Sequence, residues 1–210
     1  LENCRKSRSV KAIVIASSDK AYGSHGVLPY TEDTPLCGEH PYDVSKSCAD
    51  LISRVYFNTY GLPVAVTRCG NIYGPGDFNF SRIVPDTIRC MLSGRELLIR
   101  SDGKFTRDYI YVKDIVDGYM LLAANLAGKR FAGEVFNFSN EKPVTVRCLV
   151  EKIYRLAGKK PLYRILNKAT CEIRHQYLAA GKARRLLHWK PAYTLEQGLK
   201  ETISRYSSYL

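Results

Sequence analysis

The apolar residues of the chain fall into short continuous runs and longer helical stripes that alternate along it. Residues 10–16 (VKAIVIA) make a nearly unbroken β-branched run, the pattern of a strand covered on both faces in a parallel sheet. Over residues 42–60, Val44, Cys48, Leu51, Ile52, Val55 and Tyr56 recur at helical spacing, which predicts a helix lying on that stripe and stopped by Gly61. Residues 62–67 (LPVAVT) predict the next buried strand, and residues 70–76 (GNIYGPG) read as a loop by composition. Helices are expected over 83–92, 114–127, 146–157, 182–187 and 195–209, with short strands at 97–99 and 135–138. In the helix over 114–127, Ile115, Val116, Tyr119, Leu122 and Ala123 are expected to face inward. Strands and helices in this alternation imply a doubly wound α/β layer.

Composition narrows the class. With 210 residues, 45% of them hydrophobic and 25% charged, the chain can bury a real core. No run approaches the roughly 20 apolar residues of a membrane-spanning helix, and residues 1–6 (LENCRK) carry no apolar signal core. A soluble cytoplasmic protein with no membrane contact is therefore expected. The seven cysteines (Cys4, Cys37, Cys48, Cys69, Cys90, Cys148, Cys171) never fall at C-x-x-C spacing and read as mostly buried thiols. His25, His40, His175 and His188 have no metal-ligand spacing, so no metal is expected, and each reads as a solvated or packed histidine, with His175, beside Arg174, the one that could meet a substrate. Trp189 reads as packing at a helix end.

The net charge of +12 is uneven: thirteen Lys and Arg between Lys142 and Lys190 face only Glu151 and Glu172. Such chains meet phosphate, either as nucleic acid or on a small molecule. The basic stretch has no recognisable reading motif and no aromatic stacking surface, so a nucleic-acid-binding module is kept only as the alternative from another class.

Chemistry enters at Tyr42-Asp43-Val44-Ser45-Lys46. Residues four apart share a helix face, so the phenol and the ammonium can point into one cleft, where a neighbouring cation stabilises a phenolate as general base. Ser18 follows the first buried strand at its C-terminal end, where open α/β sheets place ligands. Serine, tyrosine and lysine converging there make an alcohol-oxidising site.

Several ordered blocks carry a family resemblance: ASSDKAYG (16–23), HPYDVSKSCAD (40–50), GLPVAVTRCGNIYGPGD (61–77), SRIVPDTIR (81–89), DGKFTRDYIYVKD (102–114), EVFNFSNEKPVTV (134–146) and KARRLLHWKPAYTLEQGLKETI (182–203). The chain resembles the extended short-chain dehydrogenases/reductases, specifically the NAD-dependent nucleotide-sugar epimerases and 4,6-dehydratases. The resemblance implies a Rossmann-like doubly wound parallel sheet lacking its N-terminal strands, with a smaller C-terminal substrate-binding α/β subdomain. Residues 1–73 and 108–138 would form the C-terminal half of the NAD-binding domain, and 74–107 with 139–210 the nucleotide-sugar-binding part. No G-x-x-G-x-x-G fingerprint occurs in the sequence, so the chain is expected to be the later portion of a longer enzyme and inactive by itself.

The same resemblance assigns roles. Ser18, Tyr42 and Lys46 match the catalytic triad of the family, with Tyr42, Lys46 and Cys69 at the cofactor, NAD. Asp19 and Lys20 fall where many 4,6-dehydratases have an Asp-Glu pair that protonates the leaving C6 hydroxyl and removes the C5 proton. The Asp-Lys variant resembles the CDP-glucose 4,6-dehydratase branch, and a lysine can act as the base only if desolvation holds it neutral. Asn71, Arg107 and Arg174 match residues that hold the substrate diphosphate, and Ser81, Arg82 and Ile83 those that line the nucleobase pocket. Asp108 and Asp114 are read as structural, one bracing Arg107 and the other capping the following helix. The expected partner is a nucleotide-diphosphate sugar, with a second copy of the chain docked through the helix that bears Tyr42 and Lys46. The alternative within the family is a UDP-sugar 4-epimerase.

Overall fold

The computed structural model describes residues 1–7, 9–170 and 172–208. After a short helix α1 (Glu2–Lys6), the first apolar run folds as β1 (Ile13–Ala16) and leads through a 3-10 turn (Asp19–Tyr22) into α2 (Pro41–Tyr60). Strand β1 pairs in parallel with β2 (Val64–Cys69), with Ile13 opposite Val64 and Ala16 opposite Thr67. On its other side β2 pairs in parallel with β7 (Val135–Phe138), giving the order β1-β2-β7. All six residues of β2 are buried, as its apolar run predicts for the central strand. The Thr67 hydroxyl meets Tyr119 of α4 (Val112–Ala127), whereas the next residue, Arg68, meets Asp50 of α2. Successive strand residues point to opposite faces, so the two helices cover opposite sides of the sheet.

Helix α2 begins with proline in its first turn and ends at Gly61, whose φ of 63° lets its N–H reach the carbonyl of Phe57. Its orientation reverses the sequence expectation. Val44, Cys48, Leu51, Ile52 and Val55 are exposed, Tyr56 is half-buried, and the buried positions are Asp43, Ser47, Asp50 and Ser53. The sheet side offers polar partners: Ser47 Oγ donates to the carbonyl of Ala21, and Asp50 accepts two bonds from Arg68 at 2.7 and 3.0 Å. A guanidinium on a buried strand needs that carboxylate more than the strand needs an apolar cover.

In α4, Ile115 and Leu122 are buried as expected, while Val116 is exposed with Met120. Asp114 does not cap the helix. Its carboxylate accepts the N–H of Ala192, and its carbonyl accepts the indole N–H of Trp189, which anchors the C-terminal stretch to the helix start. Helix α6 (Gly181–Leu187) and Trp189 pack with Phe136 and Phe138 in the core of the central sheet, although chain order groups them with 139–210.

A second core joins α3 (Ile83–Ser93), α5 (Val146–Leu156) and α7 (Leu195–Tyr206) with the parallel pair β4 (Leu97–Ile99) and β9 (Tyr163–Ile165) around Ile88, Leu97, Leu149, Ile153, Leu199 and Tyr206. Tyr209, placed by sequence at the end of the last helix, lies outside the described residues. Small strands that the sequence does not announce tie the two cores. The expected loop at 70–76 contains β3 (Asn71–Tyr73), parallel to β6 (Tyr109–Tyr111). Strand β5 (Thr106–Arg107) lies between β8 (Val144–Thr145) and β10 (His175–Gln176).

The cysteines depart from expectation: Cys69 and Cys90 are buried, Cys37, Cys48 and Cys148 are exposed, and Cys4 is half-buried, while Cys171 lies outside the described residues. Trp189 is buried as packing. Among the described residues no helix is long and apolar enough to cross a membrane, and no cluster of His, Cys, Asp or Glu could hold a metal ion.

Candidate active site

Strand β1 ends at Ala16, and the chain turns sharply with Ser18 as the cap of the 3-10 turn. Ser18 Oγ accepts the N–H of Lys20 and donates to Asp19 Oδ1 at 3.1 Å. Asp19 is only 2% exposed, and its second oxygen has no partner among the described residues. Burial pushes its carboxyl up, against the opposing effects of the Lys20 ammonium, the Ser18 hydroxyl and the Arg107 guanidinium. Lys20 is pushed down, first by burial and then by Arg107, with Asp19, Asp43 and Glu172 opposing.

Helix α2 is stitched to this turn. Ser17 Oγ donates to the carbonyl of Lys46, and Lys46 Nζ donates to the carbonyl of Ala16 at 3.0 Å. The same ammonium lies 5.8 Å from the centroid of the Tyr42 ring, so the four-residue spacing does put the pair on one face. Tyr42 is 56% exposed and open to a ligand. Cys69 is different: its thiol faces the core 3.9 Å from Tyr119 Oη, and burial pushes it up to about 12, leaving only its main chain for any contact outside.

A cavity of about 250 Å³ lies among β3, α3, β4 and β5, and none of Ser18, Asp19, Lys20, Tyr42 or Lys46 lines it. Asn71, Ser81, Arg82, Ile83 and Arg107 all line it, so three separate stretches of the chain meet at one cavity. Arg82 is committed to Asp77 and the carbonyl of Ile72, and Ser81 to Asn79. Arg107 is only 7% exposed. Its Nη1 donates to the carbonyls of Thr106 and Arg174, and its Nη2 lies 3.9 Å from the Glu172 carboxylate. Neutral carbonyls and one long ion pair compensate a buried guanidinium incompletely, which favours entry of an anion. Arg107 is not braced by Asp108, whose carboxylate meets Ser139 instead.

Arg174 reaches this site through its carbonyl, while its side chain is exposed and does not line the cavity. Gln176, two residues on, was not read from the sequence. It is fully buried, and its Nε2 donates to the carbonyl of Asp19, joining β10 to the turn. The only signal for it is the alternation within a two-residue strand, too short to recognise. Phe105, Tyr109, Arg100 and Glu172 also line the cavity without a prior reading. His175 is bound to Thr106 Oγ1 and does not line the cavity.

The sequence model of the family described as GDP-mannose 4,6 dehydratase matches residues 1–202. The chain is 32% identical over 207 residues to a UDP-glucuronate 4-epimerase of Thermodesulfobacterium geofontis, covering 95% of this chain and 60% of that protein. The crystal structure of dTDP-glucose 4,6-dehydratase from Bacillus anthracis in complex with NAD superposes with a TM-score of 0.85 at 35% identity, over 94% of this chain and 62% of the other. The UDP-glucose 4-epimerase of Thermotoga maritima with UDP-glucose gives a TM-score of 0.88 at 30% identity, over 99% and 67%. The chain thus spans about 60% of the length of the UDP-glucuronate 4-epimerase, one of the curated relatives it matches.

Proposed function

The chain belongs to the GDP-mannose 4,6 dehydratase family, and from that premise we propose that it serves an NAD-dependent nucleotide-sugar 4,6-dehydratase, a lyase. The observation that supports this most is the pair of buried Asp19 and half-buried Lys20 in the turn after a parallel strand, with Asp43 on α2 and Glu172 in the cleft within electrostatic reach of Lys20. The nucleotide sugar sets its diphosphate against Arg107 and Asn71, with its base toward Ser81, Arg82 and Ile83. Arg174, now seen to turn its side chain outward, keeps its assignment only if that side chain swings in with the ligand.

The exposed Tyr42 and the Lys46 ammonium at the carboxyl end of β1 fit the nicotinamide end of a dinucleotide, with Cys69 contributing main chain. When bound there, NAD would supply the hydride acceptor for sugar C4 and the hydride donor for C6. Tyr42, as phenolate, takes the proton of the sugar 4-hydroxyl, while Lys46 holds its charge and Ser18 hydrogen-bonds the same oxygen. The 4-ketone acidifies the proton at C5, which Lys20 takes as a neutral amine and gives back to C5 when hydride adds at C6. Asp19, as the acid, protonates the departing C6 hydroxyl, and water leaves.

Lys20 also favours a second reading. A UDP-sugar 4-epimerase, an isomerase, needs Tyr42 but no elimination, and a lysine in place of a carboxylate removes one of its two acidic groups. Incubation of the full-length protein, NAD+ supplied, with CDP-glucose, dTDP-glucose and UDP-glucose, followed by alkali, separates the two: only 4-keto-6-deoxy products give the alkali-shifted absorbance. An epimerised sugar without that chromophore would overturn the dehydratase reading.

The partner of the exposed apolar face of α2, formed by Val44, Leu51, Ile52 and Val55, is read as a second copy of the chain. The protein is assigned to the cytoplasm, where nucleotide sugars are made.

A further inference from the structure

Asp108 lies between Arg107 and Tyr109, yet its side chain takes no part in the cleft. It is fully buried, with Oδ1 unpartnered among the described residues and Oδ2 against Ser139 Oγ. Its carbonyl accepts the N–H of Asn71 at 2.7 Å. Ser139 Oγ has further partners: it receives the N–H of Glu141 at 2.8 Å and donates to the carbonyl of Leu178 at 3.0 Å.

A serine hydroxyl has one proton to donate and two lone pairs with which to accept. The Leu178 carbonyl can only accept, so the serine proton is committed there. One lone pair of the serine takes the Glu141 N–H, and the other faces Asp108. That last contact closes as a hydrogen bond only if the carboxyl oxygen carries a proton. An ionised Asp108 would take the serine proton and leave the Leu178 carbonyl without it. It would also leave a charged, unpartnered Oδ1 inside the protein, a costly arrangement.

The groups that face Asp108 point the same way. Asp19 from the 3-10 turn and Glu141 from the segment after β7 are both acidic, and the backbone N–H of Asn140 and the Ser139 hydroxyl are the groups that favour ionisation. Burial dominates and pushes the carboxyl up to about 7.

We infer that Asp108 is a neutral carboxylic acid in the folded protein and donates its proton to Ser139. The Asp108–Ser139–Leu178 relay joins the link between β5 and β6, the end of β7 and the segment after β10. Those are the segments that carry Arg107, Tyr109 and Gln176, so Asp108 is a positioning residue for the cleft. The inference stands on the proton inventory and is independent of the reaction proposed above.

Infrared spectroscopy of the purified protein at pH 6 tests it. The wild type is expected to show the C=O stretch of a buried carboxylic acid that Asp108→Asn lacks, and Ser139→Ala to keep that band at higher frequency, because the acid has lost its acceptor. Thermal unfolding across pH 4 to 9 gives a second reading. A carboxyl raised above its unfolded value contributes stability that is fully present below that unfolded value and is lost as pH rises through its folded value. Asp108→Asn, whose amide N–H can replace the acid as donor, is therefore expected to gain in Tm relative to the wild type as pH rises from about 4 to about 7, and to keep that difference at higher pH. Identical carboxylic-acid bands in all three proteins would overturn the inference, as would an Asp108→Asn variant less stable than the wild type at every pH. If that variant does not fold, the shift of the band in Ser139→Ala decides alone.

Discussion

At the scale of single residues, the turn after β1 sets up two groups with opposed shifts. Asp19 is raised by burial and Lys20 is lowered by it, and each opposes the shift of the other. In the dehydratase reading Asp19 works protonated and Lys20 works neutral. Activity is then expected to rise as pH climbs through the lowered folded value of Lys20 and to fall once Asp19 ionises, a bell whose limbs belong to the pair. Lys20→Met should abolish formation of the 4-keto-6-deoxy product. Lys20→Glu, which restores a carboxylate base, should retain it and shift the acid limb to lower pH, as pH-rate profiles of product formation would reveal. Unchanged dehydration by Lys20→Met would remove the base assignment. Tyr42→Phe deletes the only oxygen of that side chain and leaves the ring, and should lower kcat by about 10²- to 10⁴-fold while nucleotide-sugar affinity, followed by calorimetry, stays close to the wild type.

At the scale of elements, helix α2 is the instructive case. Its span was legible to within a residue from glycine and helical spacing, but its orientation was not. A hydrophobic stripe says which residues avoid water and not what covers them. In the structure Leu51 and Ile52 are half exposed, while Asp50 is fully buried against Arg68, eighteen residues away in a strand that reads as apolar around it. Pairing at that separation leaves no periodic trace in sequence. Strands β5, β8 and β10 span two residues each and also carry no pattern, so the motif blocks brought Arg107 and Asn71 to the cleft while Gln176 and Glu172 went unread. Asp50→Ala strands the Arg68 guanidinium in the interior and is expected to cost about 3–5 kcal/mol in urea-unfolding experiments. The exposed face predicts an opposite kind of effect. If a second copy covers it, Ile52→Glu should convert a dimer to a monomer by light scattering with little loss of helix, and an unchanged dimer would put the interface elsewhere.

At the scale of the whole molecule, the charge of +12 looks less like a nucleic-acid surface than the sequence alone suggests. Within the basic stretch Arg147, Lys152, Arg155, Arg164, Lys182 and Arg184 are each paired with a glutamate, several of them from distant parts of the chain. Arg107, in the cleft between the short strands that join the two cores, is buried against two carbonyls and one long ion pair. The proposed anion site is lined by Arg107 and Asn71, whereas the sequence holds no G-x-x-G-x-x-G of the kind that cradles a dinucleotide pyrophosphate. These facts predict different affinities for the two ligands of the proposed reaction. In calorimetric titration of the 210-residue chain, UDP-glucose, dTDP-glucose or CDP-glucose should bind with heat that weakens as salt is raised, whereas NAD+ should bind weakly or not at all. Arg107→Met removes a charge-assisted contact and should weaken the sugar nucleotide by about 1.5–3 kcal/mol, roughly ten- to hundred-fold. Micromolar binding of NAD+ would mean that Lys46, Tyr42 and the β1 end hold the dinucleotide without a pyrophosphate loop, and the division of labour between cleft and cofactor loop would have to be redrawn.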